Sequence, residues 1–353
     1  METVLKTIAK QANLDRILFT PALKNLYFKL AVGSGGATQF KHADGVRKGL
    51  NYAAENAADQ KQVLLFCAVH ELAHAYDLLL RYANEMTPVM VLAVRADESG
   101  SRPWKHWSLL DMGGTGWMQF HTHTLQELYD HLAIAYNLYA EKEIKIPALV
   151  IHTAYDHASA GDYNPKEELN LGSPAADWKG GGKKKMDFDA ALKAMKEKKE
   201  KPTLQKLYRT LTDPLRDIYQ SLGYTLPETG LPWAGKASAD DTAAITCIPA
   251  EQETDGLYRL LCYRPMAPSA LLQILSTKKQ VFVIEPQPTP GVGVPPFFGA
   301  WKSRLPAGAD TMVHSVCVEQ DTGMLSAGRV EQIDRFRGDA EILAANESQF
   351  LSI

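Results

Sequence analysis

The amino-acid sequence predicts an α/β protein of two domains, each built on a mostly parallel sheet. Three observations carry this expectation. Several short runs are apolar along their whole length, the pattern of strands covered on both faces. Stretches with helical apolar spacing separate them, which is the rhythm of parallel strands joined by crossover helices. The 353 residues suffice for two cores, and a lysine-rich, proline-broken stretch falls between two such rhythms.

In chain order, QVLLFCAV (62–69) and PVMVLAV (88–94) are the first β-branched apolar runs, and PALVIH (147–152) follows the helical pattern of LQELYDHLAIAYNLYAEKE (125–143). The character then changes to GGGKKK (180–185) and MKEKKEK (195–201). KKKMDFDAALKAMKEKKEK (183–201) keeps helical apolar spacing with a solvated basic face. From about residue 236 the strand-like runs resume with TAAITCIP (242–249), GLYRLLCY (256–263), KQVFVIEP (279–286) and TMVHSVCV (311–318), with a helix-like APSALLQIL (267–275) among them. The expected organisation is a first domain at 1–165, a helical lysine-rich connector at 166–235 and a second domain at 236–353.

Composition narrows the function classes. With 45% hydrophobic and 22% charged residues the chain is ordinarily globular. A net charge of -3 gives no reason to expect nucleic acid or an anionic membrane as partner. No apolar run approaches the roughly 18 residues of a membrane span. METVLKTIAKQANLDRILF interrupts its apolar residues with charges too often for a signal peptide, so a cytoplasmic protein is expected. Cys67, Cys247, Cys262 and Cys317 lie far apart without a CxxC pair, so this chain alone builds neither a zinc knuckle nor an iron–sulfur cluster. Buried free thiols in a reducing compartment are expected instead.

His70-Glu71-Leu72-Ala73-His74 is a literal HExxH. On an α-helix its histidines would face one way and hold zinc, with the glutamate activating a bound water. Glu85, Asp97 and Glu127 are the acidic residues near enough in sequence to be a third ligand, and none sits in a second zincin motif. The motif follows one buried strand closely and precedes another, so it falls on a strand-to-helix turn, where open parallel sheets bind ligands. His70 and Glu71 can therefore face a ligand without holding zinc, or serve a structural role. His121 and His123 alternate and would share a face of a strand.

The order of segments resembles another family. PVMVLAVRAD (88–97), TGWMQFHTHTLQELYDHLAIAYNLYAE (115–141) and IPALVIHTAYDHAS (146–159) are similar to the N-terminal domain of pyruvate:ferredoxin oxidoreductase and its 2-oxoacid relatives. Gly116-Trp117, Gln126-Glu127, Asp130, Ala135-Tyr136 and Pro147 keep the family's order. Gly256-Leu257-Tyr258 through Tyr263-Arg264-Pro265, and KKQVFVIEPQPTPGVGVPPF (278–297), resemble the family's second domain. The resemblance implies a pyrimidine-type thiamine-diphosphate-binding fold followed by a transketolase C-terminal-like domain, in an α-type subunit.

What it implies for the site follows position by position. Phe19-Thr20-Pro21 matches the family's substrate-contacting ITP turn, making Thr20 a substrate-binding candidate. Thr20 is equally placed to cap a Pro-led helix. Arg95 matches the arginine that forks the substrate carboxylate. The family glutamate that activates the aminopyrimidine falls on Ala43 by strict count, or on Asp44 with a one-residue slip, within Lys41-His42-Ala43-Asp44-Gly45. Asp44 is thus the catalytic candidate, and His42, His70 and Glu71 are cofactor-binding candidates. The family's SQG turn falls on Val69-His70-Glu71 and its DGF turn on Thr153-Ala154-Tyr155. His42, Asp44, His70, Glu71, His106, His121 and His123 form a titratable set around the expected cleft.

The resemblance implies oxidative decarboxylation of a 2-oxoacid. Thiamine diphosphate and magnesium would sit mainly on a β-type partner subunit, with iron–sulfur clusters on γ- and δ-type subunits, in a dimer of heteromers. The altered turns leave open a catalytically reduced, structural subunit of such a complex. A zinc metalloprotease centred on HELAH is the remaining alternative.

Overall fold

The computed structural model describes residues 1–24, 38–59, 61–94, 115–140, 146–152, 163–165, 211–224, 226, 233–235, 238–248, 250, 254–264, 272, 275–286, 296–303, 310–318, 325–339 and 350–352. In the first half α1 (Glu2–Gln11) leads into β1 (Arg16–Phe19) and a 3₁₀ turn at Pro21–Leu23. There follow β2 (Gln39–His42), α2 (Val46–Ala58), β3 (Val63–Ala68), a 3₁₀ helix at Val69–Ala75 and α3 (Tyr76–Asn84). β4 (Met90–Val94), β5 (Met118–Thr122), α4 (Leu125–Ala140) and β6 (Ala148–His152) complete it. The second half holds α5 (Thr212–Ser221), β7 (Trp233–Ala234), β8 (Thr242–Thr246), β9 (Leu257–Leu260) and β10 (Cys262–Arg264). Then come β11 (Gln280–Pro286), α6 (Pro296–Lys302), β12 (Met312–Val318), α7 (Ala327–Gly338) and β13 (Phe350–Ser352).

Two mostly parallel sheets result, as the continuous apolar runs predict. The first runs β10-β5-β6-β4-β3-β1-β2 and the second β13-β12-β11-β8-β9-β7. Only β10 against β5 and β7 against β9 pair antiparallel among the described strands. Alternate residues of each strand serve opposite faces. Ile17, Phe19, Leu64, Phe66 and Leu92 join α1, α4 and α5 on one side of the first sheet. Leu18, Leu65, Cys67, Val91 and Ile151 join α2, the 3₁₀ helix and α3 on the other. The second sheet repeats the arrangement: Ile245, Val283 and Val313 pack on α6, and Ala244, Ile284 and Val316 pack on α7.

Two features position the site. The chain leaves β1 to form β2 on one side, then returns to form β3 on the other, so β1 and β3 flank a switch point. In open parallel sheets a crevice opens at the carboxyl ends of such strands. The second feature is a shared strand. GLYRLLCY continues from β9 in the second sheet directly into β10 on the edge of the first, and His121 N–H donates to Leu261 O at 3.0 Å where it crosses. Within the 166–235 stretch, Leu215 and Tyr219 of α5 pack into the first core, so this segment is joined to the first sheet. The lysine-rich 183–201 helix and APSALLQIL fall almost wholly outside the described residues.

Candidate functional site

The 3₁₀ winding at Val69–Ala75 decides what HELAH can do. With about three residues per turn, His70 and His74 project about 120° apart, whereas on an α-helix they would be about 40° apart. Val69, Leu72 and Ala75 recur at a spacing of three and pack against the core, which suits that winding. Glu71 turns inward: its Oε2 accepts from the Ala68 backbone N–H at 2.9 Å and from the Thr20 hydroxyl. His74 is exposed, and its carbonyl accepts from Arg47 at 3.0 Å. Among the described residues no three metal-ligating side chains come together.

Thr20 and Glu71 therefore meet across the β1/β3 switch point. Thr20 is fully buried, and its backbone N–H donates to Phe66 O at 3.1 Å. Its side chain makes no cap to the 3₁₀ turn at Pro21; the hydroxyl instead donates to Glu71. The structure thus joins two residues that the sequence suggests separately. His42 ends β2 on the same carboxyl edge, beside Phe19, and is exposed. Asp44 lies just beyond it, exposed and paired with Lys48 at 2.9 Å; the Lys48 hydrogen bond holds its carboxyl below the usual range. The stricter match, Ala43, is buried, its N–H donating to Phe19 O at 2.8 Å. Arg95, His106 and the Thr153-Ala154-Tyr155 turn lie outside the described residues.

His121 and His123 have different surroundings. His121 is buried, edge-on to Tyr263, with its Nε2 3.2 Å from the Gln119 side-chain nitrogen. His123 lies just past the strand, and burial pushes its pKa down. Next to it Thr124 and Glu127 cap α4: Glu127 N–H donates to the Thr124 hydroxyl at 3.1 Å, and Glu127 Oε2 accepts from His123 N–H at 2.7 Å. Glu127 also ion-pairs with Arg259 of β9, joining the sheets. Burial alone would raise the Glu127 pKa, but Arg259 overrides it and holds the carboxyl below its usual value. These residues line a cavity of about 160 Å³ together with Thr246, Ile248, Ala250 and Leu257. Arg259 carries no motif in the sequence, whereas His123 and Glu127 were candidates there and Thr124-x-x-Glu127 is a capping pattern. All four cysteines are buried and free of disulfides, and burial raises the pKa of Cys67 and Cys247.

No protein-family profile matches the chain. Over 103 residues, 28% of its length, the chain is 27% identical to the ketoisovalerate oxidoreductase subunit VorA of Pyrococcus horikoshii. Over 88 residues it is 30% identical to the protein of the same name from Pyrococcus furiosus. The matches span 25% and 21% of those proteins, so the chain covers about a quarter of the length of the curated relatives it matches. A solved structure described as "Split gene transketolase, inactive beta4 tetramer" aligns with a TM-score of 0.44 and 11% identity, over 98% of this chain and 95% of that one. Over part of its length, the chain is similar to a subunit of a 2-oxoacid oxidoreductase.

Proposed function

We propose that the chain is an α-type subunit of a thiamine-diphosphate-dependent 2-oxoacid oxidoreductase. The stretch of likeness to the ketoisovalerate oxidoreductase subunits carries this reading. The β1/β3 crevice supports it with a carboxylate of suitable chemistry. Glu71 Oε2 is held by two donors, while Oε1 accepts no bond among the described residues and is an open acceptor. Thiamine diphosphate, whose aminopyrimidine offers donors, fits such a carboxylate. Asp44 fits it poorly, because it stands in solvent and is engaged by Lys48. We therefore assign the acceptor role to Glu71 rather than Asp44.

When bound, the cofactor supplies an electron sink for decarboxylation. The chain's own residues orient and hold. Thr20 fixes the rotamer of Glu71, Glu71 Oε1 accepts the ring's hydrogen bond, and His42 and His70 flank the crevice. Arg95 forks the substrate carboxylate. A β-type partner holds the diphosphate and magnesium, and γ- and δ-type partners carry the iron–sulfur clusters, in a cytoplasmic dimer of heteromers.

Co-purification with its partner chains, followed by 2-oxoacid-dependent dye reduction and calorimetric binding of thiamine diphosphate, tests the reading. Glu71→Gln should lower turnover about 100-fold and weaken cofactor binding, with Asp44→Asn near the parent on both measures. Full turnover and binding in Glu71→Gln would reject that assignment. The exposed Asp44–Lys48 pair favours a second reading, a structural subunit without chemistry of its own. That reading predicts a complex that assembles normally and is indifferent to both substitutions.

A further inference from the structure

The cavity between the sheets lies at the carboxyl ends of β5 and β8, lined by His123, Thr246 and Arg259 among others. β6 and β4 lie between β5 and β3, so it stands roughly 14–19 Å along the sheet from the Thr20–Glu71 crevice between β3 and β1.

Its hydrogen-bonding groups are unbalanced. Both Glu127 oxygens are taken: Oε1 by Arg259 Nη2, and Oε2 by Arg259 Nη1 at 3.3 Å and by His123 N–H at 2.7 Å. A guanidinium carries five N–H donors. Two face Glu127, and the rest meet no acceptor among the described residues, although the Arg259 side chain is only 16% exposed. The Thr246 hydroxyl accepts from Ile248 N–H at 2.9 Å, and its own proton likewise meets no acceptor among the described residues. Thr246 has no exposed surface. The Arg259 donors not engaged by Glu127 are accessible from the cavity, so its wall suits an acceptor-rich occupant. Ile248, Leu257 and Ala250 add an apolar lining. The occupant thus needs an acceptor head and a short aliphatic body.

We propose that this cavity binds a short-chain aliphatic monocarboxylate, its carboxylate on the outer N–H edge of Arg259, its alkyl group on Ile248 and Leu257. The fork of a guanidinium matches a carboxylate. A cavity of about 150 Å³ takes up benzene, so one of about 160 Å³ accommodates an acid of roughly five to eight heavy atoms. The charge of Glu127 sets a limit: one further negative charge can share Arg259, and a second is repelled. The inference does not rest on the thiamine-dependent reading.

Isobutyrate titrated calorimetrically into the full chain tests it. The expected result is saturable one-to-one binding, with neutral isobutyramide and doubly charged dimethylmalonate each weaker by about tenfold or more. Ala250→Leu, which narrows the cavity without touching the ion pair, should weaken isobutyrate by a similar factor while leaving the thermal midpoint near the parent's. Equal binding of isobutyramide, unchanged affinity in a folded Ala250→Leu, or no saturable binding would overturn the proposal. The two isosteres probe the unaltered protein, so the outcome is decisive even where Ala250→Leu does not fold.

Discussion

His131 is completely buried under the first sheet, among Phe120, Tyr219 and Tyr224. Its Nδ1–H donates to Glu127 O at 2.7 Å, and burial lowers its pKa from 6.5 to about 4. The unfolded chain takes up this proton as pH falls through 6.5, whereas the folded chain resists until about pH 4. Stability is therefore full above 6.5 and declines between there and 4, by on the order of 3 kcal/mol from this residue. Denaturant melts across this window should show a shallower decline for His131→Phe than for the parent. Equal slopes would mean that His131 is not the group responsible. Thr20 offers a second residue-scale test. Thr20→Val keeps shape but removes the hydroxyl that holds Glu71 Oε2, leaving the Ala68 N–H as its support. A loss of about 1–2 kcal/mol is expected in chemical denaturation, and an unchanged midpoint would show the bond to be negligible. Glu71 was visible in the sequence inside HELAH, a motif that suggests zinc, and by its place on a strand-to-helix turn. Its inward orientation depends on Thr20, 51 residues away, which no local pattern encodes.

At the scale of elements, legibility followed burial. β3, β4, β6, β8, β11 and β12 are covered on both faces, so each reads as a continuous apolar run. β2 is an edge strand, Gln39–His42, with largely exposed side chains and hence no apolar signature. β1 has four residues, too few for a period to be read. The Val69–Ala75 3₁₀ helix reads equally well as the first turns of an α-helix until its threefold Val69, Leu72, Ala75 spacing is weighed. A cap elsewhere illustrates an element's dependence on one distant residue. The Glu285 carboxylate at the end of β11 is fully buried and accepts from Phe297 N–H and Phe298 N–H, both at 3.0 Å, at the start of α6. Glu285→Ala leaves both donors without that acceptor and should cost about 3 kcal/mol. Glu285→Gln retains one acceptor oxygen and should cost about half as much. Similar unfolding midpoints for the two variants would indicate that water replaces the cap.

The two sheets are coupled through the β9–β10 crossing and through the Glu127–Arg259 pair. The sequence reads GLYRLLCY as one strand of one domain; its division between sheets is set by which edge each half meets, a non-local matter. The pair's side chains are 14% and 16% exposed, so neither charge is well solvated once its partner is gone. Arg259→Met would leave an ionised Glu127 with the His123 N–H as its remaining described donor from outside the pair, and a loss of about 3 kcal/mol is expected. Glu127→Gln keeps an acceptor for His123 N–H but leaves the guanidinium without a counter-charge. If the pair acts as one unit, the double variant should be more stable than the sum of the two single losses implies, by about 2 kcal/mol. Additivity within about 0.5 kcal/mol would show two independent side chains. Hydrogen exchange adds a readout that a merely local loss would not move. In the parent, amides of β4 and β11 should open with similar free energies, because the crossing strand and the ion pair link the sheets. In Arg259→Met one sheet should open at a lower free energy than the other. Equal protection of both sheets in that variant would assign the coupling to the β9–β10 backbone alone.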